Sequence, residues 1–112
     1  MTTRYVGTPP YGVFVLYDDG RKRALPLRKD LQFHSRQFAW GYGGSGPAQL
    51  ALALLVDSLR DVRKAKRLYQ EFKWRFVAIL DGEAGWEISR DEIRRIAAEI
   101  ESENATENED IE

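Results

Sequence analysis

Residues 39–59, "AWGYGGSGPAQLALALLVDSL", decide the fold. Pro47 suits a first helical position, and the residues after it are strong helix formers without a break. Gln49 is the only polar residue between Pro47 and Asp57. A helix apolar on every side has to be covered on every side. A chain of 112 residues holds one modest core, so the remaining elements must wrap this helix or a second copy of the chain must cover it. A homo-oligomer is therefore expected.

The flanking elements follow from periodicity. In "GVFVLYDDGRKRALPL", residues 12–27, Val13, Val15 and Tyr17 alternate with Phe14 and Leu16, and "DDG" turns the chain into a second strand around Arg21–Leu25. Both faces of the first strand are apolar, so it should be covered on both sides or lie inside the sheet. "RYVG" before it reads as a short edge strand ended by Pro9 and Pro10. After a break near Ser58–Asp61, Val62, Ala65, Tyr69, Phe72, Phe76 and Ile79 form one helical apolar stripe. The opposite face carries Arg60, Arg63, Lys64 and Arg67, read as a solvated basic face. "DGEAG" turns into the short strand "WEIS". Ser89 and Glu92 then form a capping box for a last helix with Ile93, Ile96, Ala97 and Ile100 inward. The order predicts a single α+β domain over 1–102, a small antiparallel sheet packed on a buried central helix with two further helices.

Charge is unevenly placed. All 17 basic residues lie at or before Arg95, whereas the end of the chain is acidic. The segment 103–112 has almost no apolar side chains and is expected to be disordered. The absence of cysteine excludes disulfides and thiolate metal sites. No apolar run reaches the ~18 residues of a membrane span, and a cytoplasmic protein is expected.

The glycine loop before the helix is the candidate ligand site. Gly41, Gly43 and Gly46 match G-x-G-x-x-G, but a dinucleotide fingerprint needs a βαβ unit that this order lacks. A phosphate-binding Walker loop fails because Pro47-Ala48 stands where Lys-Ser/Thr is required. What remains is general: glycines let a ligand approach the backbone closely, and a helix start favours an anion. Trp40 and Tyr42 offer faces for stacking, and Ser45 offers a hydroxyl. Gln49 has an amide that needs partners if buried. His34 and Ser35 are adjacent and cannot act on each other as base and nucleophile, so His34 is expected to anchor a loop or give one hydrogen bond. The expected ligand set is His34, Ser35, Trp40, Tyr42, Gly43, Gly44, Ser45, Gly46 and Gln49. No catalytic group, metal or cofactor is expected.

The runs "HSRQFAWGYGGSGPAQLALALL", "YQEFKWRFVAIL" and "GWEIS" resemble a family of small prokaryotic and phage proteins described only as a domain of unknown function. The resemblance spans Tyr11 to Ile93. His34, Ser35 and the stretch from Trp40 to Leu50 match its pattern, and Arg36–Gln37 departs from it. Phages carry small enzyme-free proteins that sequester a nucleotide immune signal. By analogy the resemblance implies a non-enzymatic binder of a phosphate-bearing small molecule, a sponge of that kind. The alternative is a protein-interaction module acting through its basic helix or acidic tail. Nucleic acid and membrane are not expected partners.

Overall fold

The computed structural model describes residues 2–110. Its strands are β1 (Arg4–Thr8), β2 (Gly12–Leu16), β3 (Lys22–Ala24) and β4 (Trp86–Ser89), and its helices α1 (Ser45–Leu59), α2 (Val62–Phe72) and α3 (Arg90–Asp110). The strands form one antiparallel sheet in the order β3-β2-β1-β4. This is the α+β architecture read from the sequence. β2 lies inside the sheet with Val13 and Val15 buried, as its two apolar faces require. β1 is not an edge: β4 pairs along its far side, Tyr5 opposite Ile88 and Gly7 opposite Trp86. A local reading could not see that pairing, because the two strands are about eighty residues apart.

α1 is the centre of the molecule. Every residue from Gly46 to Val56 is buried. α1 shares the core with sheet residues Tyr5, Val15 and Ile88, with Ala65, Leu68 and Phe72 of α2, and with Ile93, Ala97 and Ile100 of α3. Leu50, Leu52, Leu54 and Leu55 are fully enclosed, and each contributes on the order of 1.5–3 kcal/mol of burial. The wrapping is complete within one chain, so α1 itself makes no demand for a second copy.

α2 departs from its expected stripe. Asp61 caps it through Lys64 N, and Ala65, Tyr69 and Phe72 face inward. From Lys73 to Val77 the chain turns π-helical, with Ala78 N–H donating to Lys73 O at 2.8 Å. The wider turn changes the phase of the stripe. Val77 is buried, Phe76 is only partly covered, and Ile79 is 74% exposed.

At the other end, Ser89 Oγ accepts Glu92 N–H at 3.0 Å and starts α3. Glu92 itself turns to Arg95 rather than completing the box. α3 continues as helix to Asp110, through most of the segment expected to be disordered. Glu101 pairs with Lys64 and Arg67, and Glu103 with Arg75. Residues 111–112 of that segment lie outside the described residues.

Candidate functional site

The glycine loop is packed against the molecule's own chain. Gly41 has φ +91, and a Cβ there would stand 2.7 Å from the Gly82 backbone. Its N–H donates to Val77 O at 3.0 Å. Trp74, carried on the π-helical turn, lies so close to Gly43 that a Cβ would overlap its ring, and the Tyr42 ring does the same at Gly44. The glycines thus give room to a close backbone crossing and two aromatic rings. Trp40 is 4% exposed and donates Nε1–H to Ala84 O at 3.0 Å, edge-on to Trp86. The aromatics exposed beside the loop are Tyr42 at 54% and Trp74 at 55%. Trp74 was not among the residues expected there. Ser45 is exposed at the first turn of α1, and Gly46 is buried beneath it.

Gln49, His34 and Ser35 come together for a structural reason. Gln49 Oε1 accepts the backbone N–H of His34 at 2.7 Å and of Ser35 at 3.1 Å, while Nε2 donates to Leu27 O and Gln32 O. Two donated and two accepted bonds satisfy the amide completely. The His34 ring is hydrogen-bonded to Tyr69 Oη at 2.7 Å, and Ser35 Oγ accepts Gln37 N–H. One buried amide therefore pins the irregular segment between β3 and α1 onto the central helix.

The same segment, at Leu25, Pro26 and Arg28 on either side of the pinned Leu27, contributes to a cavity that the expected residues do not line. A space of about 370 Å³ is lined by Tyr17, Arg23, Leu25, Pro26, Arg28, Ala53, Val56, Asp57, Arg60, Val62 and Arg90. Four arginines from three stretches of the chain meet there around one carboxylate. Asp57 sits at the C-terminal end of α1, where its apolar run stops. Its Oδ1 accepts Arg23 Nη2–H at 2.6 Å, and its Oδ2 accepts Tyr5 Oη–H at 2.7 Å and Arg90 Nη2–H at 3.1 Å. Burial would raise the Asp57 carboxyl, but the bonds from Tyr5 and Arg23 and the charges of Arg23 and Arg90 outweigh it and hold the group below the usual carboxylate range. Burial, then Asp57, pushes the Tyr5 phenol up. Arg90 Nε also donates to Tyr5 Oη at 3.1 Å, and Arg23 Nε to Tyr17 Oη.

The other two arginines are less committed. Arg28 makes a two-point pair with Asp30, both bonds 3.1 Å long and Asp30 well exposed. Arg60 closes α1 through its backbone N–H to Val56 O. Its guanidinium has no hydrogen-bond or ion-pair partner among the described residues. Leu25, Pro26, Val56 and Val62 supply an apolar wall. A depression of about 460 Å³ at Thr2, Arg4, Tyr17, Asp18 and Gly20 mixes both signs of charge, and a groove of about 280 Å³ past Tyr11, Phe14 and Phe38 is mainly apolar. The first cavity has the largest excess of positive charge of these three, four arginines against one carboxylate.

None of the nine expected ligand residues lines the arginine cavity. No motif announced it, because Arg23 and Arg28, Asp57 and Arg60, and Arg90 belong to three stretches about thirty residues apart. The one sequence signal was Asp57 itself, the first charge after an unbroken apolar helix and so a carboxylate in need of cations.

Fold and cavity together define a single-sheet α+β protein with a cationic cavity at the closed end of its central helix. The chain belongs to a family of unknown function, DUF6166, whose model matches residues 5–99 and so includes every residue of the cavity. No curated protein and no solved structure matches it. Among the described residues no helix is long and apolar enough to cross a membrane.

Proposed function

We propose that this protein binds a phosphate-bearing small molecule without transforming it, and holds it in the arginine cavity. The observation that carries this is the meeting of Arg23, Arg28, Arg60 and Arg90 on one cavity with Asp57 as its only carboxylate. Guanidinium forks match phosphate oxygens and keep their charge at every physiological pH. The volume falls in the range of small-molecule sites, roughly 300–1,000 Å³. Asp57 is engaged by three donors and held ionised, so it is a poor proton acceptor, which favours binding over acid–base chemistry. A nucleotide-type ligand fits this class, and a phage-encoded member would act as a sponge for a nucleotide immune signal. In a homo-oligomer the second copy would meet a surface other than α1. The interaction-module reading draws less support: Lys64 and Arg67 of the basic face are paired with Glu101 of the same chain.

Thermal-shift titration with inorganic phosphate and with mono-, di- and cyclic nucleotides tests the proposal. A ligand at a hundred times its Kd should add about 2.7 kcal/mol. The ligand should be recovered chemically intact after denaturation. Silence across the whole panel, or recovery of a cleaved product, would overturn it.

A further inference from the structure

Within the binding reading just proposed, on which this inference rests, the four arginines are not equivalent. Arg23 and Arg90 already hold Asp57, in an ion-pair set whose carboxylate and Arg90 side chain are each only 14% exposed. Exchanging those bonds would strand a half-buried carboxylate. Arg28 is bound to an exposed Asp30 by two bonds of 3.1 Å, longer than the ~2.7–2.9 Å of strong charge-assisted pairs. The Arg60 guanidinium has no hydrogen-bond or ion-pair partner among the described residues. It is therefore open to an anion, and Arg28 is the one that can exchange its partner at least cost, because Asp30 is exposed and can return to water.

Their backbones single out the same pair. Arg28 (φ 58) and Arg60 (φ 56) are the only non-glycine residues with left-handed backbone among the described residues. The position that closes α1 is one where glycine, or sometimes asparagine, is usual. An arginine there keeps a left-handed conformation in which its Cβ crowds the following carbonyl oxygen. Both strained residues line the one cavity, and strain kept at such a place points to use.

We infer that Arg28 and Arg60 form a clamp for a terminal phosphate, so that the ligand is a phosphomonoester whose apolar or planar body lies on Pro26, Val56 and Val62. Two guanidinium forks offer four N–H groups in pairs. A terminal phosphate answers with three unbridged oxygens and nearly two negative charges, whereas a diester has two such oxygens and one charge. The monoester thus takes the Arg28 fork in place of the exposed Asp30 carboxylate, meets the open Arg60 fork, and leaves the Asp57 set undisturbed.

The test uses phenyl phosphate as the monoester probe, methyl phenyl phosphate as the diester with the same body, and inorganic phosphate, measured by calorimetry on the full chain. The glycine variants Arg28→Gly and Arg60→Gly should fold at least as well as the parent, because glycine suits positive φ. Each should weaken phenyl phosphate binding by about ten- to a hundredfold, the usual loss of hydrogen bonds to a charged group. A phosphomonoester gains its second charge near pH 6, so its affinity should fall roughly tenfold from pH 7.5 to pH 5 while the diester's stays flat. The groups facing the clamp are Arg23, Arg90, Asp57, Tyr17 and Asp30. Asp30 is held below the usual carboxylate range by its bonds to Arg28, as Asp57 is by its own partners, so neither takes up a proton in that window. The single histidine is away on Tyr69. A diester that binds as well as the monoester, a flat pH profile for phenyl phosphate, or unchanged binding in both variants would overturn the clamp while leaving the wider binding reading standing. Phenyl phosphate no tighter than inorganic phosphate would overturn the assigned body. Failure of every phosphate compound would remove both readings.

Discussion

Asp57 and Gln49 show how much a single polar residue can determine in an apolar element. They are the two polar residues that interrupt the α1 run before Ser58, and each ties down a different part of the chain. Gln49 could be recognised in the sequence as an amide in need of partners, but its partners are main-chain groups of an irregular segment, which no pattern specifies. Asp57 joins β1, β3 and α3 to α1 through Tyr5, Arg23 and Arg90. Asp57→Asn should cost roughly 2–3 kcal/mol at neutral pH, less than a fully buried pair because Arg23 is partly exposed. The carboxyl is held below its unfolded value near 4. Its contribution is therefore fully present above that pH and lost as the pH falls through the lower folded value. Denaturant melts of parent and variant should accordingly converge on acidification, and a gap that persists undiminished at pH 2 would contradict this role.

Elements were legible where periodicity is local and obscured where backbone geometry departs from the ideal. The β2–β3 hairpin, a break within Ser58–Asp61 and the Ser89 cap stand where their residues indicated, whereas α1 begins at Ser45, two residues ahead of the Pro47 read as its first position. The phase of α2 does not, because a π-helical turn cannot be seen in a hydrophobic pattern that a regular helix would also satisfy. That turn is what brings Trp74 onto Gly43 and Val77 O onto Gly41 N–H, so the packing function of the glycine loop was hidden for the same reason. Two glycines separate conformation from crowding. Gly20 and Gly41 both have φ near +90, but nothing lies within 4 Å of a Cβ at Gly20, while one at Gly41 would strike the Gly82 backbone. Gly20→Ala should cost about 1 kcal/mol, the left-handed penalty alone. Gly41→Ala should cost about 3 kcal/mol, since crowding adds to it. Equal losses in urea melts would mean that the loop yields easily and that its close crossing with residues 80–82 is not what the glycine serves.

At the scale of the whole molecule, the question raised by α1 was whether a helix apolar all round is covered from within or by a second copy. The sheet, α2 and α3 close over it, with Leu52 fully enclosed and no face of the Gly46–Val56 run exposed. Sequence could pose this alternative but not decide it, because the decision depends on β4 and α3 returning to β1 and α1 across most of the chain length. Leu52→Asp separates the outcomes. With Leu52 inside one chain, an unpaired charge there costs several kcal/mol, a large share of the ~5–15 kcal/mol that holds a domain together, and no assembly step can relieve it. The variant should lose its cooperative melt and its near-ultraviolet dichroism, and light scattering should show an expanded or aggregating chain. If Leu52 instead lay at a contact between copies, the same substitution would release a smaller species with native dichroism and a sharp melt. Finding that species would mean the chain opens in solution to share α1 with its neighbour, and the Asp57 end of the helix, with the arginine cavity, would then have to be considered as part of that shared surface.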